Sequence, residues 1–247
     1  MGLGELTKRA VLVAVATATV VVSLHALALL ANNADISDLS TSLERGLTPP
    51  DANSFARFVQ TYRLDRSSTD CGDLFTRASL TVTLAALQAA TQQKDATLTD
   101  IAERNAIRAA SHRLSCNPLD GNAWLRYAIV FARRQRPADP IGPILNQLRL
   151  SYGTAPNEAW VIEPRLAFAT NLYLAGAVGF ETEYLNDLRL FTSFESAGQV
   201  AAAYVKMPPR ARVLLQSSID SEPEPRKKAI TAEIDRLSID ISNRNLR

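Results

Sequence analysis

The run from Ala10 to Ala31, AVLVAVATATVVVSLHALALLA, carries no formal charge and constrains the chain more than any other stretch. A helix of that length, rising about 1.5 Å per residue, matches a hydrocarbon layer roughly 30 Å thick. Lys8 and Arg9 abut its N-terminal end, whereas Asp35 and Asp38 precede the first basic residue on the other side, Arg45. Basic residues stay cytoplasmic, so the run reads as a signal-anchor, a single transmembrane helix with residues 1–9 inside and the rest outside. The alternative is a cleaved signal peptide, for which Ala26-Leu27-Ala28 offers a small-residue site. The apolar stretch continues through Leu29 and Leu30, longer than the usual apolar region of a leader, which favours the retained anchor. His25 lies near the outer end, where a neutral imidazole is tolerated.

Beyond the anchor the chain has ordinary globular character. The whole sequence is 47% hydrophobic and 21% charged with net charge +2, a balance that points away from nucleic acid. Aromatics are only 6%, and Ala, Leu and Arg abound, which favours closely packed helices over a sheet. No segment alternates with period two, and the expected fold class is all-α. The expected divisions are a tail at 1–9, the anchor at 10–31, juxtamembrane helices and linker at 32–70, and a helical domain at 71–247.

Periodicity places the elements. Ile36, Leu39 and Leu43 mark a helix within 32–47, and Phe55, Phe58, Val59 and Tyr62 mark a short one within 51–63. The polar stretch 64–70 reads as a loop. Residues 73–92 include ASLTVTLAALQAA, apolar nearly all round, as in a core helix. Residues 99–115 form the next, with Thr99 as N-cap and a small-residue seam of Ala102, Ala106, Ala109 and Ala110. The segment 123–134 places Trp124, Tyr127, Ala128 and Phe131 on one face. Helices follow over 140–151, 157–177 with Pro164 as a kink or break, 180–194 with Phe180, Tyr184, Leu188 and Phe191 as its stripe, 197–205 and 210–217. A solvated loop spans 218–225, and a last helix over 226–241 carries Ile230, Ile234, Leu237 and Ile241.

Trp124-x2-Tyr127-Ala128-x2-Phe131 resembles the first-helix signature of the tetratricopeptide repeat, W-x2-L-G-x2-Y. Asn117-Pro118 before Ala123-Trp124 is echoed by Ala155-Pro156 before Ala159-Trp160, separated by close to the repeat length of about 34 residues. The second copy is degenerate, because Glu163-Pro164 replaces the small-residue pair. The resemblance covers roughly Thr99 to Tyr173, and the competing architecture is an unrelated Ala-rich bundle. It implies a solenoid of helical hairpins (TPR-like), with Trp124 and Trp160 buried as repeat positions and the first helix of each pair lining a concave protein-binding face. On that face the candidate contacts are Arg126, Arg133 and Arg134. The overall pattern is also similar to envelope proteins that accompany bacterial polysaccharide biosynthesis and export.

Chemistry is sparse. His112 is the sole histidine of the body. It sits four residues before Cys116, and Cys71 could complete a metal set. In an oxidising compartment such as the periplasm, two cysteines more often pair, and a helical hairpin would bring Cys71 and Cys116 together. A disulfide with no metal is therefore expected. No nucleophile elbow or phosphate loop occurs, and neither Glu181/Glu183 nor Glu222/Glu224 suggests a catalytic cleft. With no catalytic set and no cofactor, the expected function is that of a non-enzymatic scaffold. It sits in the bacterial inner membrane and binds an envelope or membrane protein. The alternative is an envelope enzyme acting on glycan or peptidoglycan.

Overall fold

A computed structural model describes residues 17, 19–20, 34–45, 52–61, 71–136 and 139–245. Among them every regular element is a helix, as the composition requires, and none is long and apolar enough to cross a membrane. The proposed anchor at 10–31 lies outside the described residues except for Thr17, Thr19 and Val20, which are helical and exposed. The loop at 64–70 and Tyr62 also lie outside them. The chain divides into two compact units, Met1–Arg113 and Leu114–Arg247, with the boundary inside the last turn of one helix.

The first unit contains α1 (34–44), α2 (Ala52–Thr61), α3 (Asp73–Gln93) and α4 (Ala96–Cys116). Helix α2 packs on α3. Ile36, Phe55 and Val59 are buried, as their spacing predicts. Helix α3 buries Ala78, Leu80, Val82, Ala86, Leu87 and Ala90 together with three hydroxyl residues. Two of these, Thr76 and Thr83, return their hydroxyl hydrogens to Gly72 and Ser79 carbonyls at 3.1 and 2.9 Å, so burial leaves neither donor idle.

Helix α4 begins earlier than expected. The Leu98 amide donates to the Asp95 carboxylate at 2.9 Å, and the Thr99 amide already donates to the Asp95 carbonyl. Asp95 therefore does the capping assigned to Thr99, and Thr99 belongs to the first turn. The seam of Ala102, Ala106, Ala109 and Ala110 is buried as expected. Near the far end of α4, buried Arg113 donates to Thr76 Oγ1 at 2.9 Å and ion-pairs with Asp73, joining the end of α4 to the start of α3.

The second unit contains α5 (Gly121–Arg134), α6 (Gly142–Thr154), α7 (Ala159–Leu174), α8 (Glu181–Phe194), α9 (Ala197–Lys206), α10 (Pro209–Asp220) and α11 (Glu224–Asn245). Helix α5 packs on α6 and α7, α7 on α8 and α10, α8 on α9 and α10, and α9 on α10 and α11. Their shared core includes Leu125, Leu148, Leu166, Tyr184, Leu188 and Leu215. The Asp120 carboxylate caps α5 by accepting from the Ala123 amide at 2.9 Å. Gly121 is required there, because a Cβ would fall 2.3 Å from Ala155 Cβ. The end of α7 is a left-handed cap, with Gly176 at φ 82° and the Ala177 and Gly176 amides donating to Leu172 and Tyr173 carbonyls.

Three expectations need correction. Of the kink or break expected at Pro164, the break does not occur: α7 runs through Pro164, whose ring is exposed and which leaves the Trp160 carbonyl without its helical donor. The loop at 218–225 shrinks to 221–223, because buried Ile219 extends α10 by nearly a turn and Pro225 is tolerated in the first turn of α11. On α5 the deeply buried residues are Leu125, Ala128 and Val130, with Gly121 and Ala123, and not the aromatic stripe. Trp124, Tyr127 and Phe131 are half-buried and stack along the helix, with ring centroids 6.4 and 6.2 Å apart.

Candidate functional site

The α7–α8 hairpin is held by a buried polar cluster. Arg165 and Asp187 are both inaccessible. The guanidinium donates from Nε to Asp187 Oδ2 at 2.7 Å and from Nη2 to Oδ1 at 2.8 Å. Its remaining nitrogen, Nη1, donates to the Ser151 and Ala155 carbonyls at 3.0 Å each, closing the end of α6. The Tyr152 ring lies under the guanidinium, 4.4 Å from its carbon. One arginine thus joins α6, α7 and α8.

The electrostatics follow from the burial. Desolvation lifts the Asp187 carboxyl above the ordinary aspartate range, and the hydrogen bonds and charge of Arg165 hold that lift back. Burial, reinforced by the Asp187 charge, drives the Tyr152 phenol far upward, and among the described residues its hydroxyl has no hydrogen-bond partner. Burial also raises the Tyr184 phenol, opposed by its 2.8 Å hydrogen bond to Thr170. Arg165, Asp187 and Tyr184 are fully buried, and the cluster positions helices.

The surface that this cluster supports is apolar. Helix α7 buries Val161, Ile162, Arg165, Leu166 and Ala169 and turns Trp160, Glu163, Ala167 and Asn171 outward. Two depressions border it. The first, about 600 Å³, is lined by Asn157, Ala159, Ile162, Leu190, Phe191 and Phe194 with Glu195. The second, about 290 Å³, lies among α7, α8 and the end of α9. Its floor includes Leu166, Leu188, Phe191 and Met207, and Glu163 and Lys206 are among its bordering residues. Phe194 is 79% exposed and Trp160 61% exposed. Large apolar side chains left in water on a folded unit are a common mark of an interaction surface.

The expected burial of Trp160 is therefore overturned. The turn before α7 starts the helix so that Val161 and Ile162 face inward, and the indole points to solvent. Trp124 is half-buried and donates its indole hydrogen to the Pro118 carbonyl at 2.8 Å, and Ala128 is wholly buried. Of the candidate contacts, Arg126 is half-buried and donates to Asn122 Oδ1 at 3.1 Å, whereas Arg133 and Arg134 are exposed at the end of α5. None of the three borders the apolar depressions.

Cys71 and Cys116 are joined in a disulfide, as expected. Among the described residues no group of three or more His, Cys, Asp and Glu is placed to hold a metal ion. Glu181 accepts the Gly179 amide at 2.7 Å, and such backbone hydrogen bonds hold its carboxyl below the usual glutamate range. It closes the turn into α8. Glu222 accepts from Ser193 and Thr192, and is likewise tied to structure.

Sequence reasoning passed over Arg165, Asp187, Phe194 and Lys206. Arg165 alone carried a usable signal, as the basic residue that, with Glu163, interrupts the otherwise apolar stretch from Trp160 to Ala169. No family model, curated protein or solved structure matches this chain.

Proposed function

We propose that this chain is a membrane-tethered scaffold without enzymatic activity, whose helical body docks an envelope or membrane protein. The single observation that carries the reading is the pair of apolar-walled depressions in the second unit, the first rimmed by exposed Phe194 and both lined by α7, the helix that also turns Trp160 into solvent. A docking surface uses such a face, whereas a hydrolase needs acids converging in a cleft. Residues 10–31 are the tether, with Lys8 and Arg9 fixing a cytoplasmic tail and an outer, periplasmic body. The α5–α8 hairpins are read as TPR-like, with the docking face displaced from the α5 arginines to α7 and α8.

The test uses the full chain in its native membranes. Trp160→Ala with Phe194→Ala is compared with charge reversal at Arg126, Arg133 and Arg134. The reading expects the aromatic double variant to lose a co-purifying partner at unchanged membrane content and melting behaviour, with the arginine variant retaining it. Undiminished recovery in the aromatic variant rejects it, as does turnover of a glycan by the purified body.

A further inference from the structure

The docking element of the partner is the next question, and this step rests on the docking reading above. The α7 residues lining the first depression are Ala159 and Ile162, and those lining the second run from Glu163 to Asn171. Their centres are about seven residues apart, or roughly 10 Å along the helix. Phe191 of α8 borders both and forms the saddle between them.

That spacing selects a backbone. In an incoming α-helix, residues i and i+7 lie on one face and about 10.5 Å apart. An extended strand places same-face side chains at about 7 or 13 Å, and misses it. A polyproline helix repeats at about 9 Å, but its recognition uses aromatic-lined grooves. Here the second depression is walled by Leu166, Leu188 and Met207 with Phe191 as its one aromatic, and the first sets Ile162 and Leu190 beside Phe191 and Phe194.

Charge adds direction. Glu163 and Lys206 both border the second depression from different helices. Among the described residues neither takes part in an ion pair or a side-chain hydrogen bond. Two solvent-exposed opposite charges flanking an apolar socket are the arrangement that sets orientation in helix pairing, where charges flank the apolar seam.

We propose that the second unit binds an amphipathic α-helix of its partner, with large apolar residues at i and i+7 seated in the two depressions. A basic and an acidic residue on either side of the second anchor meet Glu163 and Lys206. Trp160, on the same outer face of α7 as Glu163 and Ala167, covers one flank of the bound helix.

The experiment selects displayed random linear peptides of about 15 residues, long enough for four helical turns, on the purified full chain. The same selection is run on Glu163→Lys with Lys206→Glu, two exposed positions that leave the core untouched. The proposal expects enriched peptides with apolar anchors seven apart and one base and one acid flanking the second. It also expects a gain of helical circular dichroism on binding. The swapped chain should select the mirrored charge order and weaken the original peptides by roughly tenfold. Proline-rich winners, winners with no helical period, a charge order indifferent to the swap, or no enrichment would each overturn it. If partner recovery still depends on Trp160 and Phe194 in those cases, the scaffold reading stands and only the helical ligand is wrong.

Discussion

Arg165 and Asp187, distant in sequence and on neighbouring helices, face each other fully buried in a bidentate ion pair with contacts of 2.7 and 2.8 Å. The pair leaves almost no polar capacity unused, since the third guanidinium nitrogen closes the end of α6. Removing one partner strands the other charge. Asp187→Ala should therefore destabilise the second unit by about 3–5 kcal/mol. Replacing both residues by apolar side chains of similar volume should cost much less, because both desolvation penalties vanish together. Urea unfolding of the single and double variants measures the difference, and equal losses would sink the argument.

Two glycines make a matched test of packing. Gly121 lies where a methyl group would overlap Ala155, whereas a Cβ on Gly153 in α6 meets nothing within 4 Å. Gly121→Ala should cost about 1–3 kcal/mol through overpacking. Gly153→Ala should be neutral or stabilise by roughly 0.5–1 kcal/mol, because alanine restricts the unfolded chain and favours helix. Thermal melts of both variants decide it, and a stable Gly121→Ala would mean that α5 and α6 can move apart freely.

The helical stripes were legible in the sequence because they obey one local rule. Phe180, Tyr184, Leu188 and Phe191 repeat with the α-helical period, and all four are buried. The hairpin logic that paired Cys71 with Cys116 also needed only the order of two helices. The site was not legible, for physical reasons seen in two residues. The tetratricopeptide signature treats tryptophan as a residue to be buried, but burial of Trp160 depends on which face of α7 meets α8 and α10. The buried face carries Arg165, whose partner Asp187 no local window contains. On α5 the same rule misassigned the core, because Leu125 and Val130 compete with the aromatics for the inner face and win against α6 and α7.

Acid sensitivity should trace partly to Glu181. Its carboxyl is held low by backbone amides, chiefly its own and that of Gly179. A carboxyl whose folded value is depressed stabilises the native state fully above its unfolded value. That contribution fades as pH falls through the folded value. The gap in melting temperature between the wild type and Glu181→Gln should thus be present at neutral pH and shrink as the solution passes below the ordinary glutamate range. A gap that stays constant with pH would assign Glu181 no titrating role.

The disulfide supplies the last prediction. Cys71 immediately precedes the Gly72-Asp73 start of α3, and Cys116 ends α4, so the bridge closes the loop formed by the two helices and their connection. Closing a loop of that size restricts the unfolded chain and is worth about 2–4 kcal/mol. The Arg113 contacts to Asp73 and Thr76 act at the same end of the hairpin, so the native geometry there does not depend on the bridge alone. Cys71→Ser with Cys116→Ser should accordingly lower the urea midpoint without changing the helical circular dichroism of the folded state. Adding Arg113→Ala to the reduced chain should then cost more than it does in the oxidised chain, because each restraint compensates for loss of the other. Unfolding curves of the four combinations measure that coupling, and strict additivity would show that the bridge and the arginine hold independent parts of the hairpin.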